Sequence, residues 1–284
     1  MAKKIRVRKH AVVLNRSAGG DTVISIVLCI MAVVMFLPMW YLIITAFKPA
    51  AELAITPPKF YVLKPTFQQF IDLFTNVNIT WVPMSRYLFN TIFISLSATF
   101  GSLLIGSLTA YALSKIRMPG YKIVLNLITY SMMIGSVISG LVDFFVFAWL
   151  GMFNTYWISI VPQWVGTVGL YLMKNFIDAN VSEEMLEAAR IDGASEWTIF
   201  MKIALPMIKP AWLTTLALTF QTAWNTGSSA YVWSEQLKTF NVAISTISGG
   251  STAGTVLMMS VPIIVFVVNQ SKIVETMGSS GMKS

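Results

Sequence analysis

The chain has 284 residues, of which 56% are hydrophobic and 11% charged, with a net charge of +8. Soluble domains carry about 25% charged residues, so this composition excludes a water-facing surface and points to a chain that crosses a membrane repeatedly. One cysteine, Cys29, and one histidine, His10, exclude an internal disulfide, a thiol metal cluster, a zinc site and a Ser-His-Asp hydrolase.

Lys3, Lys4, Arg6, Arg8, Lys9 and Arg16 crowd residues 1–20. Directly before an apolar run, such a cluster reads as a topogenic tail on the anionic cytoplasmic face rather than a nucleic-acid site. The run 23–47 exceeds the roughly 7–15 residues of a signal-peptide core. It reads as an uncleaved first span over 21–47, kinked at Pro38. Segment 48–86 holds Pro57, Pro58, Pro65 and Pro83 and is too broken to cross, although "PTFQQFIDLF" suits a short surface helix. The second span, 87–114, carries Gly101, Gly106 and Ala110, small residues that suit close helix contacts in lipid. A basic turn with Lys115, Arg117 and Lys122 leads to the third span, 123–150. The uncharged turn "GMFNTY" precedes the fourth, 157–177. The fifth span is 211–224, a Gly/Ser-rich connection covers 225–254, and the sixth span, 255–270, runs into a small polar tail.

Six spans put both termini on one side. The N-terminal cluster, the 115–122 turn and Arg190, Lys202 and Lys209 all fall on that side, which the positive-inside rule assigns to the cytoplasm. Lys48, Lys59, Lys64 and Arg86 lie in the long first outer loop, where the rule binds less. The expected fold class is all-α: a polytopic membrane protein with a transmembrane domain over 21–284 behind a basic tail, 1–20.

The segment between spans four and five is unusually polar. Ser182 is placed to cap a helix whose first turns hold Glu183, Glu184 and Glu187, where the helix dipole favours acid. Leu186, Ala188 and Ala189 give that helix a small apolar face, and Asp192-Gly193 breaks it. Ser195 is placed to cap a second helix in which Trp197, Phe200, Ile203 and Ala204 recur at helical spacing, and Pro206 ends it. One reading is a solvated connector. The other is functional, because long structured connections tend to be and a small-faced helix suits a groove on a partner.

The stretch "EAARIDGASEWTIFMKIALP" resembles the EAA loop of bacterial ABC-importer permeases at Glu187, Ala188, Ala189, Gly193, Ile203, Leu205 and Pro206. With Asp192, Ala194 and Phe200 it is similar to the carbohydrate-uptake branch. The resemblance extends over "NTIFIS", "AYALSKIRMPG", "LGMFNTYW", "AWN", Pro262, Gln270 and a tail spaced Gly278, Gly281, Lys283. The chain thus resembles the smaller membrane subunit of maltose-type importers. The resemblance implies a type I ABC importer permease fold in a bacterial inner membrane, with no cofactor and no nucleic acid. Its implied partners are a second homologous permease subunit, two ABC ATPase subunits that hydrolyse the ATP, an extracytoplasmic sugar-binding protein, a sugar substrate and membrane lipids. It also implies that the loop is a coupling helix seated in an ATPase cleft. Glu187 would make an ionic contact, Ala188 and Ala189 would allow close approach, and Gly193 would form the turn, with Asp192, Leu205 and Pro206 in the same segment. The absence of G-x-x-x-x-G-K-[ST] agrees with ATP hydrolysis on a separate subunit, and "ISGG" (247–250) reads as a flexible turn. In relatives the outer loop matching 225–254 reaches into the binding protein. Here Tyr231, Trp233 and Phe240 would supply contact area, and Gly227, Ser228 and Ser229 flexibility.

Asp143 lies inside the third span, where an ionisable group is costly. It is either a sugar-hydroxyl acceptor in the translocation path or an interfacial residue near the outer end. Gln163, Trp164, Tyr171, Gln221, Trp224 and Asn225 combine aromatic faces with amides, a workable sugar path. For Trp164 and Trp224 an interfacial belt with interhelical hydrogen bonds is the favoured alternative. Two other functions stay open: transport of a polyol, glycerol phosphate, amino acid or other small solute by the same superfamily, and an ion channel or membrane scaffold.

Overall fold

The computed structural model describes residues 18–75, 81–116, 119–133, 136–226, 231–246 and 251–281, with the backbone alone for 18, 136–139 and 271–281. The basic cluster with His10, Arg117, Gly227 to Ser229, the "ISGG" stretch and Lys283 lie outside the described residues. Among these residues all regular structure is helical, and the chain divides into two compact units, 1–66 and 67–284.

The first unit contains α1 (Ala18–Ala46), which continues through Pro38, and the short α2 (Ala50–Leu53). Apolar side chains along α1, among them Val23, Leu28, Val33 and Leu37, are exposed, as a lipid-facing span requires. The proline-rich residues after α1 cannot bond as a helix or sheet, so side chains complete the backbone accounting. The Glu52 carboxylate accepts from the backbone N–H groups of Leu63 and Lys64 at 3.2 and 3.0 Å. The buried Lys48 ammonium donates to the Lys59 carbonyl.

The second unit begins with α3 (Gln68–Thr75), the short helix expected in "PTFQQFIDLF", with Leu73 buried. Helix α4 (Met84–Lys115) is the axis of the unit. Its 32 residues span about 48 Å at about 1.5 Å per residue. Its buried face is small or hydroxylated, with Ser95, Ala98, Thr99, Gly101, Ser102, Gly106 and Ala110. A Cβ at Gly101 would overlap the Trp164 indole, and one at Gly106 would press on the Met173 methyl at 2.8 Å. The small residues read in the second span therefore do admit close neighbours.

The next two spans differ from expectation. In place of a continuous 123–150 there are α5 (Tyr121–Ser131) and α6 (Ser136–Trp149), and in place of 157–177 there are α7 (Trp157–Trp164) and α8 (Thr167–Asn180). Pro162 removes a helical donor, and the backbone leaves helical geometry at Val165 and Gly166. In the third span, α5 gives way to a turn at Met132 and Met133.

Then follow α9 (Glu183–Ile191), α10 (Glu196–Ile199), a π turn (Phe200–Ala204) and α11 (Leu205–Met207). Pro206 cannot donate to the carbonyl four residues back and its ring crowds that position, which a widened π turn relieves. The expected stop at Pro206 falls instead at Ile208, where the chain turns by 79° into α12 (Lys209–Asn225). A 3-10 turn (Glu235–Leu237), α13 (Phe240–Thr246) and α14 (Thr252–Gly281) complete the unit. The helical backbone of α14 runs to Gly281, through residues expected as a tail.

Helices α1, α4 and the first part of α14 are each long and apolar enough to cross a membrane alone. Among the described residues a fourth crossing is long and apolar enough only if the bent pair Glu196–Met207 and Lys209–Asn225 is taken together. Two large apolar clusters sit at opposite ends of α4. One gathers Tyr111, Met173, Leu186, Ile199 and Phe200, and the other Tyr87, Phe220, Trp224, Phe240 and Met258.

Candidate functional site

Helix α9 is held by one face and presents the other. Leu186 is fully buried in the cluster at the C-terminal end of α4. Glu184, Glu187, Ala188 and Ile191 are exposed, and their i, i+3, i+4, i+7 spacing makes them one continuous stripe. Ile191 is 86% exposed, and Trp197 on α10 is also exposed. Glu187 makes no hydrogen bond or ion pair among the described residues. Ala189 is half-buried, so only Ala188 of the two alanines lies on the stripe. Leu205 is half-buried, and Asp192 and Pro206 are exposed.

The turn after α9 is a Schellman motif. The Gly193 N–H donates to the Arg190 carbonyl and the Ala194 N–H to the Ala189 carbonyl, both at 3.0 Å. Gly193 has φ +81°, which favours glycine. Ser195 caps α10 as expected, accepting from the Thr198 N–H at 3.3 Å. Ser182 stands before α9 in extended conformation without a cap bond to the helix. The backbone N–H of Glu184 and the Ser182 hydroxyl instead hold the Glu184 carboxylate below the usual range.

Polar clamps absent from the sequence reading seat this segment on α4. The Glu196 carboxylate accepts from the Tyr111 hydroxyl at 2.8 Å and from Arg190 Nε at 2.7 Å. The Glu196 carboxylate also raises the pKa of the Arg190 guanidinium. Lys115 Nζ bonds Glu183 at 3.0 Å. Glu196 reads in sequence as an ordinary first-turn acid, and nothing local announces Tyr111 as its partner.

At the other end of α4 lies a second polar assembly. Asn90 Nδ2 donates to the carbonyls of Gln236 and Lys238, both at 2.8 Å. Its Oδ1 accepts from the Tyr156 hydroxyl at 2.8 Å. The Glu235 carboxylate accepts from the Tyr87 hydroxyl and from Lys238 Nζ. Thr91 Oγ1 accepts from the Phe240 N–H, and Asn154 Oδ1 from the Ser234 N–H. Of the three aromatic residues expected to meet a binding protein, Phe240 is fully buried in the core and Tyr231 is half-buried among Phe144, Phe147 and Phe153. Trp233 alone is open, at 65% exposure. The described part of 225–254 is bonded at several points, and the residues expected to supply flexibility, 227–229, lie outside the described residues.

The Glu235 carboxylate is held below its usual range, chiefly by Lys238 and then by the Tyr87 hydroxyl. A depressed folded pKa contributes stability above the unfolded value and loses it as pH falls through the folded value. A nitroxide at Gln236→Cys in a Cys29→Ser background is therefore expected to stay immobile at neutral pH and gain mobility below the ordinary carboxylate range. Glu235→Gln should remove that transition.

The residues read as a sugar path are not gathered at one place. Trp164 Nε1 donates to the Ser97 carbonyl at 3.1 Å over Gly101. Trp224 is buried, stacks on Phe220 and donates to the Met258 carbonyl at 2.9 Å. Both serve helix packing. Gln221 lines a cavity of about 180 Å³ between α12 and α14 with Thr214, Phe220, Pro262 and Phe266. The Asn225 amide turns back to the Gln221 carbonyl. Gln163 is half-buried on α7, Tyr171 is exposed on α8, and Asp143 is exposed on α6 without a hydrogen-bond partner among the described residues.

Residues 16–270 match the family described as the binding-protein-dependent transport system inner membrane component. The chain belongs to this family. Among curated members, it is 36% identical over 191 residues to the galactooligosaccharides transport system permease protein GanQ of Bacillus subtilis (strain 168). That match covers 65% of this chain and 64% of GanQ, just under two thirds of the relative's length. A second relative, the melibiose/raffinose/stachyose import permease protein MelC of the same organism, is 26% identical over 274 residues, covering 92% of this chain and 96% of MelC. Among solved structures, a chain of a bacterial ABC transporter involved in the import of the acidic polysaccharide alginate superposes with a TM-score of 0.71. It shares 22% identity and covers 91% of this chain and 98% of its own. That likeness gives this chain the fold of that transporter's chain.

Proposed function

We propose that this inner membrane component is the translocating permease subunit of an ATP-driven importer for a sugar or oligosaccharide delivered by an extracytoplasmic binding protein. The observation that carries this reading is the exposed stripe Glu184, Glu187, Ala188 and Ile191, ended by the left-handed turn at Gly193, in a chain of this family. An isoleucine at 86% exposure on a charged helix outside the apolar spans suits a surface that a partner covers. A cleft on a cytoplasmic ATPase suits it, with the alanine admitting close approach and Glu187 setting register. ATP is hydrolysed by two separate ATPase subunits, and a second, homologous permease completes the membrane pair. The saccharide names of GanQ and MelC support a sugar as substrate.

Sidedness follows from the same reading. The end of α4 at Tyr111 and Lys115 is cytoplasmic, and the end at Tyr87 and Asn90 is extracytoplasmic. Both termini lie in the cytoplasm of a bacterial cell. Single cysteines at Gln68 and Lys283 in a Cys29→Ser background are expected to label from opposite sides, and labelling of both from outside would overturn this orientation. The function is tested with the co-expressed complex in proteoliposomes. ATPase subunits should follow this chain through detergent, and uptake should require ATP and a sugar-loaded binding protein. Solute flux through this chain alone, without ATPase, would favour a channel.

A further inference from the structure

We propose that Asn90 is a positioning residue that fixes segment 231–240, and with it Trp233, as a rigid contact for the extracytoplasmic binding protein. This rests on the functional reading above. Asn90 is fully buried near the start of α4, and its amide is used on both sides. Both donated bonds go to main-chain carbonyls, those flanking Leu237, and the accepted bond comes from Tyr156 in the 151–157 turn. One amide thus joins three parts of the chain that are far apart in sequence.

The surrounding bonds follow the same logic. From Tyr231 to Thr239 the only regular structure is one three-residue 3-10 turn, yet the backbone is pinned at intervals by groups from elsewhere. The Tyr231 carbonyl accepts from the Asn154 N–H at 3.0 Å, the Ser234 N–H donates to Asn154 Oδ1, and the Phe240 N–H donates to Thr91. Arg86 Nη2 donates to the Tyr156 hydroxyl at 3.1 Å, which steadies the phenol that bonds Asn90. A segment that only connects two helices has no need of this many foreign partners. A segment that presents a large aromatic to a partner does, because a preordered backbone lowers the cost of binding. Tryptophan and arginine are also the side chains that dominate protein interfaces. Here Trp233, within the pinned segment, and Arg86, bonded to Tyr156, are both exposed.

The test is the uptake rate of the whole complex in proteoliposomes as a function of the concentration of sugar-loaded binding protein. Asn90→Asp keeps the shape but turns both donors into an oxygen facing two carbonyls. It is expected to raise the half-saturating concentration by about tenfold, the loss of two buried bonds, with the maximal rate nearly unchanged. Trp233→Ala should give a similar shift, and the double variant should be no worse than the poorer single one, because both act through the same contact. Tyr156→Phe, which keeps the ring against Phe93, should shift the curve in the same direction by less. An unchanged half-saturation in Asn90→Asp, or multiplying effects with Trp233→Ala, would overturn the proposal. If Asn90→Asp fails to assemble, an unchanged curve in Tyr156→Phe overturns it equally. A wild-type complex indifferent to the binding protein would instead sink the functional reading, and this inference with it.

Discussion

Replacing Gly193 by valine is expected to abolish sugar uptake and release the ATPase subunits, while the permease still inserts and pairs. At φ +81° a β-branched residue is forced into left-handed backbone, at a cost of about 1–2 kcal/mol or more. No atom lies within 4 Å of a Cβ built there, so the effect is one of backbone direction rather than of a clash within the chain. Two bonds of the Schellman motif depend on this residue, and they set the angle between the exposed stripe of α9 and the capped start of α10. Leu186, Tyr111 and Glu196 still anchor the segment, which is why membrane insertion survives. Glu187→Ala should give the same phenotype for a different reason. Its carboxylate is exposed in this chain and, on the proposed function, would be desolvated in the partner's cleft, where truncating one member of a buried charge pair costs about 2–5 kcal/mol. Uptake and ATPase retention are measured together on the purified complex. Wild-type values for both in Gly193→Val would mean that this segment does not couple.

The second large effect concerns assembly. Gly101→Val is expected to deplete folded permease from the membrane, because a side chain there occupies the space of the Trp164 indole. Trp164 is held by its bond to the Ser97 carbonyl and stands edge-to-face with Trp157, so making room for the new side chain breaks both contacts. Overpacking typically costs about 1–3 kcal/mol, and this overlap belongs at the upper end or beyond. Gly101→Ala should lose less, and Gly101→Val with Trp164→Ala should recover part of the yield. Yield of monodisperse complex from detergent is the readout. Recovery of Gly101→Val at the wild-type level would show that α4 and α7 do not meet as described.

The parts of this molecule that were legible in sequence are those governed by local rules. Gly193 and Ser195 announced the end of one helix and the start of the next, because a left-handed turn and a hydroxyl cap have few residue solutions. Small residues in the second span announced close packing. The breaks at Val165-Gly166 and after Ser131 were less visible, because hydropathy averages over Pro162, Gly166 and Gly135 and reports one apolar run. The polar assembly at Asn90 was not legible at all. Its members are common residue types, and its bonds reach from Asn90 to Tyr156 and to the main chain near Leu237, where partner identity leaves no trace in sequence. For the same reason Phe240 read as a contact residue, whereas the fold places it in the core. The half-buried setting of Ala189 could not be foreseen from an apolar pattern that includes both alanines.

The central claim is that the stripe on α9 seats in an ATPase subunit, and one photocrosslinking measurement addresses it directly. A benzophenone maleimide is attached at Ile191→Cys in a Cys29→Ser background and irradiated in the intact complex. Ile191 is 86% exposed, so the label perturbs no packing within the chain. The account predicts a covalent adduct with the ATPase subunit from Ile191→Cys, and none from Gln236→Cys at the opposite end of α4. No ATPase adduct at position 191, with the complex intact, would contradict it.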